Sequence, residues 1–212
     1  DFSTNIFILN PSLFLNIKKT GFGNFSLSYS ENNTLPEVNQ LTSNFQLTDY
    51  RNFSQGTTYN KPLKNQTTTL NYYIYNDEKR FSINTSVYYV NSKSIFNTSS
   101  NLTSDFNFNS YIQTKGSNSY NFNFSFVNYV RKLKLASKIE TNNSWITSPI
   151  NVNSTEFLNA KSYSNSIKYS GTTYFKSKIN FDFGFSYNYF QSNFQGIKTN
   201  NTTKDAFLKL AL

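Results

Sequence analysis

The sequence predicts an all-β chain: an antiparallel up-and-down transmembrane β-barrel, with about nine strands visible as an arc of a larger barrel. Three observations predict it. Ile179 to Tyr189 reads Ile-Asn-Phe-Asp-Phe-Gly-Phe-Ser-Tyr-Asn-Tyr, a strict period of two. In a strand this puts Phe181, Phe183 and Phe185 on one face and Asn180, Asp182 and Ser186 on the other. Short turns and long polar connections alternate along the chain, which an up-and-down outer-membrane barrel produces by placing its turns at one rim and its loops at the other. The composition joins 22 Phe and 16 Tyr to a mean hydropathy of -0.56. Alternating strands account for both numbers, whereas disordered chains are poor in aromatics.

Residues 4–18 read as a first strand begun or interrupted at Pro11, with Leu13, Leu15 and Ile17 on one face. A turn at Lys18 to Gly23 leads into 24–31, where Phe25, Leu27 and Tyr29 alternate with Asn and Ser. Alternation then stops, so 32–66 is expected to be one long extracellular loop within a single barrel segment covering 1–212. It resumes over 67–75, turns at Asn76 to Lys79 and returns through Phe81, Ile83, Val87 and Tyr89. Residues 91–104 form a second polar connection. A long strand over 105–130 carries Phe122, Phe124 and Phe126, with Gly116-Ser117-Asn118 read as a bulge inside it. After Arg131-Lys132, strands are expected over 133–145, 160–174, 179–189 and 206–212, separated by a polar loop at 147–160, a turn at Phe175 to Lys178 and a fourth loop over 193–203. An eight- to ten-stranded barrel has an interior that side chains must fill. Asn, Ser and Gly would not fill it, hence the arc of something wider.

The chain contains no Cys and no His. Disulfides, thiolate or imidazole chemistry and most transition-metal sites are thereby removed, and with them the usual triads, so no catalytic, cofactor or metal residues are assigned and an enzyme is not expected. No apolar run approaches the roughly 20 residues of a spanning helix. Because no leader precedes the first strand-like stretch, the sequence is expected to be a processed product or an excerpt. Net charge is +9, yet nine of the twenty basic residues (Lys18, Lys19, Lys79, Arg80, Arg131, Lys132, Lys134, Lys176 and Lys178) sit at or beside short turns. A rim facing anionic headgroups explains that; a nucleic-acid surface would interleave its basic residues along one face, so nucleic acid is not expected as a partner.

Across residues 29–64 the chain resembles the TonB-dependent outer-membrane receptors of Bacteroidetes, in the branch whose barrels follow a carboxypeptidase-regulatory-like domain. The residues that carry the resemblance are Tyr29-Ser30, Leu35-Pro36, Gln40-Leu41, Gly56 and Lys61-Pro62-Leu63-Lys64 before Thr67. The resemblance implies a barrel of about 22 strands closed around a plug, resident in the bacterial outer membrane and importing a nutrient on energy passed by TonB. TonB would be a partner only if a plug domain lies upstream.

The lipid bilayer is the expected partner of Phe122, Phe124, Phe126, Phe181, Phe183 and Phe185. Trp145, Tyr89, Tyr129 and Tyr189 suit interfacial belts. In the long loop, Phe45, Tyr50, Arg51, Phe53 and Tyr59 are the candidate ligand or partner residues, placed to stack on a glycan or meet a surface lipoprotein lid or another outer-membrane subunit; otherwise they pack the loop onto itself. Glu31, Glu37 and Asp49 read as solvated loop charge, and Asp182 as half of a wall ion pair. Two further readings stand: a structural or accessory subunit of an outer-membrane assembly that transports nothing, and a secreted β-sandwich adhesin.

Overall fold

The computed structural model describes residues 7–57, 61–150, 157–175 and 179–211. In chain order they form β1 (Ser12–Lys19), β2 (Gly23–Thr34), a helical turn α1 (Val38–Leu41), β3 (Gln46–Asp49), β4 (Asn52–Gln55), β5 (Leu63–Asn76), β6 (Phe81–Ser92), β7 (Ser94–Leu102), β8 (Asn107–Lys115), β9 (Asn118–Val130), β10 (Leu135–Ile150), β11 (Leu158–Thr173), β12 (Asn180–Phe194) and β13 (Ile197–Ala211).

Nine of these strands make one sheet in the order β1-β2-β5-β6-β9-β10-β11-β12-β13, every neighbouring pair antiparallel. The order follows the chain once β3, β4, β7 and β8 are set aside, so the sheet is an up-and-down meander. It is open: β1 and β13 do not pair with one another. The four remaining strands form a second, smaller sheet in the order β3-β4-β8-β7, with β4 and β8 parallel.

Several expectations need correction. Residues 32–66 are not a plain loop: β2 runs on to Thr34, β5 starts at Leu63, and α1 with the β3–β4 hairpin lies between them. The 91–104 connection is largely β7. The 105–130 stretch is two strands, and Gly116-Ser117 is where the chain passes from the small sheet to the large one. Alternation continues on both sides of that crossing, which hides it in the sequence. The fourth loop is a two-residue turn, Gln195-Gly196, with φ of 52° and 82°. Positive φ at both central positions is the mirror-image turn that matches strand twist. It was missed because Ile197 to Asp205 is almost wholly polar on both faces, so no alternation marks the strand. The third loop is shorter than expected, since β10 reaches Ile150 and β11 begins at Leu158.

The rims are accordingly less uniform than predicted. The short links at 20–22, 77–80 and 131–134 share one rim, and the two long excursions, 35–62 and 93–117, leave from the other, which also holds the Gln195-Gly196 turn. Basic charge collects at both ends. Lys18, Lys19, Lys79, Arg80, Arg131, Lys132 and Lys134 lie at the turn rim, while Arg51, Lys64, Lys93, Lys115, Lys161 and Lys198 lie on the excursion side. Lys176 and Lys178 fall outside the described residues.

Among the described residues no Leu, Ile, Val, Phe, Tyr or Trp is buried; Ser86, 9% exposed, is the one buried polar side chain. The chain exposes 14756 Å², whereas a compact water-soluble monomer of its mass exposes about 10,000 Å². The sheet has two faces, and among the described residues no second layer covers either.

Candidate functional site: a two-faced wall

Register places most of the apolar residues of the nine strands on one face. Leu15 is opposite Leu27, Leu27 opposite Leu70 and Leu70 opposite Val87. Val87, Thr85 and Ile83 are opposite Phe122, Phe124 and Phe126. Phe126 continues through Ile139 and Tyr169 to Phe185 and Ala206. Phe183 lies between Gly171 and Leu208, and Phe181 beside Leu210. Residues paired across an antiparallel ladder share a face, so the six singled-out phenylalanines stand on one side of the sheet.

One edge of this apolar band is a row of larger amphipathic rings. Tyr89 is opposite Tyr120, Tyr120 opposite Trp145, and Trp145 opposite Tyr163. The ring centroids are 4.6 Å apart for Tyr89–Tyr120 and 5.2 Å for Trp145–Tyr163, and Tyr189 joins Tyr163 at 6.0 Å. Tyr29 occupies the same level on β2. Just beyond it the chemistry turns ionic. Glu31 and Lys64 form an ion pair, and the Glu31 carboxylate also accepts from Gln66 Nε2 (2.9 Å), Asn33 Nδ2 (3.3 Å) and the Tyr29 hydroxyl (3.4 Å). From the Tyr120 level to the end of β9 at Val130 is ten residues, or about 25 Å of height for strands tilted near 45°. Tyr129 does not belong to this belt: it pairs with Ala136 on the opposite face, under the Arg80 guanidinium at 5.2 Å.

The opposite face is mostly Asn, Ser and Thr, with Phe14, Tyr73, Tyr88, Val127 and Phe207 set among them. Asn71 donates to Ser26 (3.3 Å), Asn123 to Ser86 (3.2 Å), Ser166 to Asn188 (2.7 Å) and Asn188 to Thr203 (3.3 Å), stitching neighbouring strands with neutral hydrogen bonds. Across β9 to β13 these side chains line a trough of 340 Å³ that includes Asn121, Asn142, Asn201 and Phe190. The charges that fall between the ring row and the turn rim sit here too: Lys138, Glu140, Lys168, Asp182, Asp205 and Lys209. Lys138 reaches Glu140 at 2.7 Å. Asp182 lies opposite Lys209 in register without closing to an ion pair, contrary to the wall pair expected for it. Lys204, opposite Tyr187 on the end strand β13, is the exception on the apolar side.

Glycine sets the closeness of the wall at two points. A side chain at Gly171 would run into the Phe183 ring, and one at Gly184 would meet Phe207 at 2.5 Å. Each glycine therefore gives a ring from the next strand a place to lie across the backbone.

The small sheet gathers the loop aromatics. Phe53 stacks on Phe108 at 5.3 Å, with Phe45 and Phe106 edge-on to the pair at 6.2 and 5.7 Å. Phe106 and Phe108 were missed, because their segment reads as a wall strand. Hence the loop does not pack onto itself alone; it packs on the second excursion. Tyr50 and Arg51 stand apart at the tip of the β3–β4 hairpin, stacked at 5.5 Å, with Tyr50 86% exposed. Tyr59 lies outside the described residues. The motif residues Gln40 and Gly56 meet: Gly56 N donates to Thr42 O and Thr57 N to Gln40 O, both at 2.7 Å. The Gln40 side chain accepts from Glu37 N at 3.0 Å, closing a capping box on α1.

At that hairpin tip the Asp49 carboxylate accepts from Asn52 Nδ2 at 2.6 Å and from Arg51 N at 3.2 Å. The Asn52 bond first, then the Arg51 amide, lowers its pKa from the ordinary carboxylate value. A lowered native pKa stabilises the turn above the unfolded value of about 3.9, and that contribution is lost as pH falls through the native value. Amide exchange at Arg51 is therefore expected to accelerate in acid below about pH 4, beyond the intrinsic trend, and Asp49→Asn is expected to remove the extra pH dependence.

Among the described residues there is no cluster of metal-ligating side chains. No family model matches the chain, and no curated protein or solved structure proves significantly similar to it.

Proposed function

We propose that the chain forms part of the wall of a bacterial outer-membrane β-barrel, of the TonB-dependent type that imports a nutrient. One observation carries the membrane reading: an aromatic and aliphatic face, continuous over nine strands and covered by no other described element, backs onto a face of carboxamides and hydroxyls with a few charges among them. Lipid would cover the first and water the second. The ring row and the Glu31–Lys64 pair then fall at the bilayer surface, where rings with polar tips and snorkelling lysines are stable. A sandwich adhesin would need a second layer over Phe122 to Phe126, and the small sheet packs its own phenylalanines together instead. The import half rests on the resemblance over residues 29–64 and on the contact between Gln40 and Gly56 within it.

Nine strands leave β1 and β13 pointing the same way, so pairing them would create a parallel seam. An all-antiparallel ring takes an odd number of further strands, and this favours the accessory reading if another chain supplies them. Discharging the proton gradient separates the roles: uptake of the nutrient collapses for a TonB-type importer and is untouched for an accessory wall.

The membrane reading is tested with Trp145, the single tryptophan. In phosphatidylcholine vesicles its fluorescence is expected to be quenched strongly by lipid brominated near the headgroup and weakly by lipid brominated at the chain end. A monodisperse protein in plain buffer whose Trp145 ignores both lipids would sink it.

A further inference from the structure

On the reading that the apolar face meets lipid, we propose that Lys161 and Lys198, with Asn193 and Gln191, form a binding site for the phosphate of an anionic lipid headgroup. Lys161 of β11 is opposite Asn193 of β12, and Asn193 is opposite Lys198 of β13. The two lysines therefore share the apolar side of the sheet, two ladder spacings or roughly 10 Å apart at the backbone, with the Asn193 carboxamide between them. They line a cavity of 310 Å³ together with Gln191, Trp145 and Tyr163. In register the lysine row is one step beyond the Trp145–Tyr163–Gln191 row. Rings below and ammonium groups above match an amphiphile whose acyl chains run along the band and whose phosphate sits at its edge.

Charge balance supports this pair. Lys64, on the same side at the edge of β5, is neutralised by Glu31. At the turn rim Arg131 donates to Glu78 O at 3.0 Å, Arg80 lies over Tyr129, and Lys19 over Phe22 at 4.5 Å. Lys161 and Lys198 are exposed and make no ion pair, hydrogen bond or ring contact among the described residues. The described parts of β10 to β13 carry no Asp or Glu on the excursion side of Glu140 and Asp205. Two unneutralised cations flanking carboxamides hold an anion, and their place beside the ring row selects one attached to a lipid rather than one free in water.

The experiment compares brominated phosphatidic acid with brominated phosphatidylcholine, each at the same minor fraction in unbrominated phosphatidylcholine vesicles, as quenchers of Trp145. Two lysines near the surface should enrich the anionic lipid roughly ten- to thirty-fold beside Trp145, so brominated phosphatidic acid quenches at far lower fractions. Lys161→Gln with Lys198→Gln is expected to abolish the excess while leaving quenching by brominated phosphatidylcholine unchanged; Lys161→Arg with Lys198→Arg should keep it. Equal quenching by the two lipids, or an excess that survives the double Gln variant, overturns the site. Loss of the excess on adding inorganic phosphate assigns the lysines to a free anion and overturns it too. Absence of quenching by either lipid removes the membrane reading and the site together.

Discussion

On the proposed lipid-facing reading, Phe124→Arg is expected to destabilise the vesicle-inserted protein by about 2–4 kcal/mol, and Ser125→Arg by far less. The two positions are adjacent in β9 and differ only in which side of the sheet they occupy. Phe124 lies in mid-band between Thr85 and Thr141. A guanidinium there would be held in hydrocarbon with nothing to pair it. Ser125 faces the other way, opposite Glu140, so an arginine at that position meets water and a counter-charge. The contrast alone would also be expected of a protein core, so depth is the deciding variable. Tyr120→Arg, on the same side as Phe124 but in the ring row, should cost about 0–1 kcal/mol, because the side chain can snorkel to the headgroups. Reversible urea unfolding from vesicles measures all three. Equal costs at Phe124 and Tyr120, or a cost at Ser125 matching that at Phe124, would overturn the lipid-facing assignment.

That depth profile depends on features the sequence displays unevenly. Where one side of a strand is aromatic and the other is Asn or Ser, as in Phe122 to Phe126 and Phe181 to Tyr187, period two is unmistakable and the strand and its facing can be read directly. In β13 the first half alternates Thr, Asn and Lys with one another, so a strand and a loop look alike. The small sheet is hidden for a different reason. Its strands pair across long separations, Phe53 with Phe108 and Ser94 with Lys115, and local alternation contains no information about partner. A parallel pairing of β4 with β8 could not be anticipated from two segments that each look like loop or wall. The lysine pair is likewise illegible in one dimension. Lys161 and Lys198 become neighbours only through the registers of two successive ladders, and nothing in either tripeptide distinguishes them from the other exposed lysines.

The long pairings also locate a vulnerable point in the molecule. Gly116→Val is expected to detach the small sheet while the nine-stranded sheet stays intact. Gly116 sits where the second excursion returns to the wall: its N donates to Lys93 O at 3.1 Å, Ser92 N donates to Ser117 O at 2.9 Å, and Lys93 N donates to Lys64 O at 2.8 Å. A side chain at Gly116 would fall on the Ser92 carbonyl. That obstacle is backbone, fixed by the ladder of β5 with β6, where Ser92 pairs with Asn65, and cannot swing aside as the Phe183 ring can when Gly171 is enlarged. Overpacking a site that can relax costs about 1–3 kcal/mol; here relaxation means separating residues 92–93 from 116–117. The strands on either side are held differently. β9 is paired on both edges, from Asn118 downward with β6 and from Val130 upward with β10. By contrast, β8 is tied to the wall mainly through the Gly116 crossing and through β7. Hydrogen exchange in vesicles should therefore show protection lost over 97–102 and 107–115 and kept over 120–130, with Gly171→Ala leaving both regions protected. Loss of protection over 120–130 in the Gly116 variant would mean that the small sheet holds the wall together rather than hanging from it.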